Sequence, residues 1–150
     1  MSRSAVDGVE FSAVPWQSTS TLWGPKSSAP AELDIKGYGL ARVLSRDDKS
    51  GAMTLVIKEP PGWHTAAAES HSVLQEDILL EGDCWYGEKH HEGPTYFCFP
   101  PGYRHGPMFT ETGALWLVTL SGAFDVSYIH DVRAEHMSWY PRAKRFDERG

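Results

Sequence analysis

The feature that most restricts this chain is its punctuation. Between residues 52 and 130, short runs rich in β-branched and aromatic residues alternate with Gly, Pro and Asp clusters. "AMTLVIKE" (52–59), "EDILLEG" (76–82), "TYFCFP" (95–100) and "GALWLVTLSG" (113–122) are examples. Strand, turn, strand at intervals of about 8 to 12 residues reads as a sandwich or a closed barrel. No stretch keeps a helical period. "DVRAEHMSWYPRAKRF" (131–146) has room for one short terminal helix, which Pro141 should break. The expected fold class is therefore all-β, a single jelly-roll barrel. Its 6 Trp, 6 Tyr and 6 Phe suit a wide, partly apolar interior.

With 150 residues, one domain is expected. Residues 1–32 contain "STSTLWGPKSSAP" and read as an extended arm whose Trp16 and Trp23 pack on the body, followed by a barrel over 33–132 and a polar, solvated tail over 133–150. "LDIKGYGLARVLS" (33–45) reads as two short strands or a kinked one, and "RDDKSG" (46–51) as a hairpin turn. A net charge of −6 argues against a nucleic-acid surface, which needs clustered Lys and Arg. The one basic cluster, Arg142 to Arg145, lies in the tail. No apolar run approaches the ~20 residues of a membrane span, and no signal peptide opens the chain. Cys84 and Cys98 form no CxxC pair. Two reduced core thiols in a cytoplasmic protein are expected, with a cross-strand approach of the two left open. Neither a GxSxG elbow, a P-loop nor a GxGxxG motif is present.

A short self-similarity is informative. "PPGWH" (60–64) returns forty residues later as "PPGYRH" (100–105). Proline fixes φ and glycine takes the positive-φ position, so each turn aims its following side chains in a defined direction. The expectation is two turns on one rim pointing His64 and His105 at a common space.

Gly62, Glu69-Ser70-His71, Gln75-Glu76 and Gly82, followed by Pro100-Pro101-Gly102-Tyr103-Arg104-His105, resemble the two motifs of the cupin superfamily. The first motif runs Gly, spacer, His-x-His, three or four residues, Glu, six residues, Gly; the second is Pro-x-Gly-x-x-His. The likeness covers about 40–128 and is greatest to ChrR-like cupins and to small ring-cleaving or diketone-cleaving dioxygenases. Carried over by position, His71 and His105 take histidine places and Glu69 stands where the first histidine would be. Gln75, with six residues before Gly82, takes the glutamate place, and Glu76 competes for it. Six residues rather than five separate Gly62 from Glu69, which leaves room for a bulge.

Elementary geometry adds to the resemblance. On a strand, residues 69 and 71 share a face. A carboxylate and an imidazole there, with an imidazole from another strand, make a two-His, one-carboxylate set that holds Fe(II) and also suits Zn(II), Mn(II) or Ni(II). Exchanging His for Glu and Glu for Gln keeps the ligand charge unchanged. The expected metal ligands are Glu69, His71, Gln75 and His105, around one divalent metal per chain. His64, Tyr103 and Arg104 are the candidate catalytic or substrate-contacting residues at the rim. Gln75 has a second role open to it, orienting His71. His90 and His91 read as a solvated turn, and nothing draws His130 or His136 inward.

The function implied is a metal-dependent oxygenase acting on a small diketone, phenolic or hydroxyketone. A zinc-dependent lyase, isomerase or hydrolase, a ligand-sensing cupin and a metal-free binding barrel remain alternatives. The resemblance also implies a homodimer, with residues 1–32 laid across the partner.

Overall fold

The computed structural model describes residues 3–22 and 39–148. Ten strands and one helix follow in order: β1 (Gln17–Ser18), β2 (Leu40–Arg46), β3 (Met53–Glu59), β4 (Ala67–Ser70), β5 (Gln75–Tyr86), β6 (Lys89–Glu92), β7 (Thr95–Phe99), β8 (Met108–Phe109), β9 (Ala114–Leu120), β10 (Ser127–Arg133) and α1 (Tyr140–Glu148). The expectations placed on Trp23 and on residues 33–38 lie outside the described residues.

One sheet runs β1-β2-β3-β9-β5-β6, with β7 and β8 also paired to β5; β10 and β4 form a second sheet. Every pairing is antiparallel. Alternation builds the core. Along β9, Ala114, Trp116, Val118 and Leu120 are buried while the residues between them are half-buried. Across it, β3 places Met53 and Leu55 on the same inner face, with Glu59 at its end also buried.

Strand β5 is long because it changes role midway. Gln75 to Leu79 pairs with β7 and β9, whereas Asp83 to Tyr86 pairs with β6, and its last two residues also pair with β8. The register shifts between Leu79 and Glu81, so one extra residue re-aims the second half. Gly82 sits at this bend with φ 88°, where a Cβ would lie 1.9 Å from the Gly113 carbonyl oxygen. No other residue type fits there. Beside the bend, the buried Asp83 accepts hydrogen bonds from both the amide and the hydroxyl of Thr112 (2.8 and 2.7 Å), from Thr110 Oγ1 and from the Glu111 amide, closing the β8–β9 connection.

The described part of the arm, residues 3–22, contacts β2 and β3 of this chain. β1 pairs with β2, Arg3 bonds Ser45 and Thr54, and Arg42 lies 4.1 Å over the Trp16 ring. β2 is a single strand with a register shift between Val43 and Ser45, and the 46–51 segment turns with Gly51 at φ 76°.

Three expectations need correction. The C-terminal segment is not a solvated tail. Trp139 is fully buried, stacks on Phe109 at 5.1 Å and donates from Nε1 to the Gly87 carbonyl at 2.8 Å, and Ala143 of α1 is buried in the same cluster. Nor does Pro141 break the helix. It lies in the first turn of α1, where its missing N–H costs nothing. The cysteines also differ: both are free, but only Cys84 is buried, and Cys98 faces solvent.

Candidate metal centre and its two cavities

Glu69 lies near the end of β4 and bridges to His105, each backbone amide donating to the other's carbonyl at 2.8 and 2.9 Å. This pairing sets a β4 carboxylate beside an imidazole that follows the 100–103 turn. His71 comes two residues after Glu69 and so returns to the same face. The ligand atoms of Glu69, His71 and His105 all lie within 4.8 Å of one another.

The donor atoms are poised. His71 Nδ1 bonds the Asp125 carbonyl at 2.5 Å, which makes Nδ1 the protonated nitrogen and leaves Nε2 as a lone-pair donor, 3.7 Å from Glu69 Oε1. His71 Nε2 and both His105 nitrogens are buried without a partner among the described residues. Unsatisfied buried polar atoms are costly, and one unpartnered nitrogen from each ring beside the Glu69 carboxylate fits a metal ion. The His105 ring is held by packing, stacked on Phe99 at 4.3 Å and edge-on to Tyr86 at 5.8 Å. Burial, with a smaller push from His71, lowers its pKa to about 3, so it is neutral and able to ligate at ordinary pH. Burial raises the Glu69 carboxyl, against a smaller pull from His71.

Position along β5 separates the two candidates for the next ligand. Gln75 and Asp77 point inward, as alternate residues must, while Glu76 points out and accepts a 2.5 Å bond from Tyr96 Oη. Gln75 Nε2 donates to Asp77 Oδ2 at 2.8 Å, which fixes the amide so that its oxygen, buried and unpartnered, remains available.

Two cavities flank this cluster. The inner one, ≈ 120 Å³, is walled largely by apolar and aromatic side chains, including Trp63, Trp116 and Phe124, and by three carboxyl groups and one amide: Glu59, Glu69, Asp77 and Gln75. Burial raises Glu59 to about 8, although Trp116 Nε1 donates to its Oε2 at 3.0 Å, and raises Asp77 to about 7, against bonds from Gln75 and Tyr86. The outer one, ≈ 300 Å³, is lined by His105 with Tyr103, Arg104, Lys89 and His91. Tyr86 lines both.

The structure thus places Tyr103 and Arg104 at the mouth beside His105, both exposed, Tyr103 stacked on Phe99 at 5.6 Å. It does not bring His64 there. His64 is buried, bonds the Gly62 carbonyl through Nδ1, packs against Trp139 and Tyr140, and lines neither cavity. His90 and His91 lie on β6 rather than in a turn; His90 pairs with Asp83 at 3.0 Å and His91 faces the outer cavity. His130 and His136 are exposed. Sequence reasoning missed Glu59 and Asp77. Period two counted from Met53 and from Gln75 puts both on inner faces, so the signal was present.

No family model matches the sequence, and no curated protein matches it. Solved structures do match. A candidate acetylacetone dioxygenase from Methylibium petroleiphilum superposes with a TM-score of 0.61 at 18% identity, over 83% of this chain and 81% of that one. An RmlC-like cupin from Ralstonia eutropha gives 0.55 at 13%, over 79% and 69%. The polyketide cyclase RemF from Streptomyces resistomycificus gives 0.58 at 13%, over 91% and 97%. The chain therefore has the cupin fold, and its neighbours in that fold carry more than one chemistry. No helix among the described residues is long and apolar enough to cross a membrane.

Proposed function

We propose that this cupin-fold chain is a metal-dependent enzyme for a small organic substrate, with Fe(II) as the favoured ion and oxygenation as the favoured reaction. Glu69, His71 and His105 would hold the ion, and the Gln75 oxygen would complete or support the set. One observation carries this reading: three ligand atoms of the right chemical types lie within 4.8 Å of one another, and the imidazole nitrogens there are unsatisfied. When bound, such an ion supplies Lewis-acid polarisation and access to oxygen chemistry.

The protein's own part is orientation and exclusion. The Asp125 carbonyl holds the His71 tautomer, Phe99 holds the His105 ring, and Asp77 turns the Gln75 amide. Mostly apolar walls give the inner cavity a low-polarity lining around its few polar groups. Tyr103 and Arg104 stand where an incoming ketone, phenol or enol would pass on its way to His105. The likeness to a candidate acetylacetone dioxygenase supports a diketone-type substrate.

The test is metal content of protein purified without a chelating tag, then reconstituted, for wild type, His71→Ala and His105→Ala. One iron per wild-type chain, lost in both variants, with oxygen uptake on a diketone and hydroxyketone panel, is the expected result. Wild type that takes up no metal would overturn the proposal. Stoichiometric zinc without oxygen uptake would move it to a lyase, isomerase or hydrolase.

A further inference from the structure

The inner cavity has a lopsided chemistry that metal binding alone does not use. Glu59 and Asp77 are both buried, at 7% and 2% exposure, and both line it. Each has one oxygen occupied: Glu59 Oε2 accepts from Trp116 Nε1, and Asp77 Oδ2 accepts from Gln75 Nε2 and from Tyr86 Oη at 3.3 Å. Apart from the Gln75 oxygen that the metal reading uses, Asp77 Oδ1 remains a buried acceptor without a hydrogen-bond partner, and Trp63 Nε1 a buried donor without one. Among the described residues no Lys or Arg lines this cavity to answer the acids. Its walls include Trp63, Tyr86 and Trp116. The outer cavity is the reverse, with Lys89 and Arg104 in its lining.

Two buried acids, an unpartnered Asp77 oxygen, aromatic side chains in the wall and, among the described residues, no Lys or Arg in the lining together describe a receptor for a positively charged N–H donor. Carboxylates pair with the charge and the N–H groups, and ring quadrupoles favour a cation lying over them. We propose that the inner cavity binds a small protonated amine, between Asp77, Glu59 and the aromatic walls. An ammonium group would give the two buried carboxyl groups a fixed ionic partner. The proposal goes beyond the metal-centre reading and does not rest on it, because amine binding itself requires no metal.

Trp63 and Trp116 provide the readout. Intrinsic fluorescence of the full chain is titrated with phenethylamine and with 2-phenylethanol, its uncharged counterpart, in metal-free and reconstituted protein. The amine should bind about tenfold more tightly or better, the range expected of a charge-assisted contact. Asp77→Asn and Glu59→Gln, both near-isosteric, should each reduce that preference. Equal or weaker binding of the amine by wild type overturns the proposal, as does a preference untouched by both substitutions. A protein that prefers the amine but takes up no metal defeats the metal reading alone; one that takes up metal without the preference defeats this one alone.

Discussion

The two Pro-Pro-Gly turns begin alike and end differently. In each, the residue after the glycine donates its amide to the first proline's carbonyl, Trp63 to Pro60 at 3.1 Å and Tyr103 to Pro100 at 3.0 Å, and the glycines sit at φ 88° and 78°. Yet His64 goes to the α1 cluster and His105 to the candidate metal centre. One residue separates Gly62 from its histidine and two separate Gly102 from its own. Since side chains in extended backbone alternate, one residue more is enough to change the face. The residues before the turns differ as well: Glu59 delivers a carboxyl to the inner cavity, while Phe99 delivers the ring on which His105 lies. A turn fixes a direction of exit, and the count of residues after it decides which side chain uses it.

Substituting the two histidines breaks the comparison most directly. His105→Ala should weaken metal binding by more than ~100-fold, beyond the range typical of outer-shell partners. His64→Ala should leave metal titration unchanged and cost about 2 kcal/mol in urea denaturation, through lost packing against Trp139 and Tyr140. Equal metal loss in the two would show that both turns serve the centre.

The glycines should differ next. A Cβ on Gly62 would lie 2.4 Å from Phe146 Cγ, whereas one on Gly102 meets nothing within 4 Å. Gly62→Ala should therefore cost about 3 kcal/mol, and Gly102→Ala only the backbone strain of about 1–2 kcal/mol. Similar denaturation midpoints would mean that α1 does not seat on the first turn.

Glu59 sharpens the contrast through pH. Its folded pKa of about 8 stands above the ordinary 4.5, so the folded chain holds this proton more tightly than the unfolded one. The resulting stability is fully present below 4.5 and lost as pH rises through about 8. Thermal unfolding of Glu59→Gln should show a gain of several kcal/mol, up to about 5, over wild type at alkaline pH relative to acidic pH. Parallel pH profiles would contradict the burial argument. Phe99→Ala, at the matching place on the other turn, should weaken metal binding about tenfold by freeing the His105 ring. An unchanged affinity would show that stacking does not position it.

Much of this was legible in the residues. The strand cadence set the fold class, and the spacing to Gly82 singled out Gln75, whose inward position on β5 follows from period two. Glu69 and His71 share a face for the same reason. What was not legible depends on distant partners. Trp139 and Ala143 sit in a charged segment whose burial is decided by Phe109, far away in sequence. The direction of His64 depends on that same cluster. Glu59 and Asp77 carried the right alternation, but a charged residue on an inner face reads as an error until the cavity around it is seen.

The central claim is the ligand set, and X-ray absorption spectroscopy of the iron- or zinc-reconstituted chain tests it most directly. The account predicts one ion per chain with only nitrogen and oxygen neighbours, outer-shell scattering from two imidazoles, and loss of one imidazole in His71→Ala or His105→Ala wherever residual metal binds. A sulfur neighbour from Cys84 or Cys98, or an imidazole count unchanged by both substitutions, would contradict it.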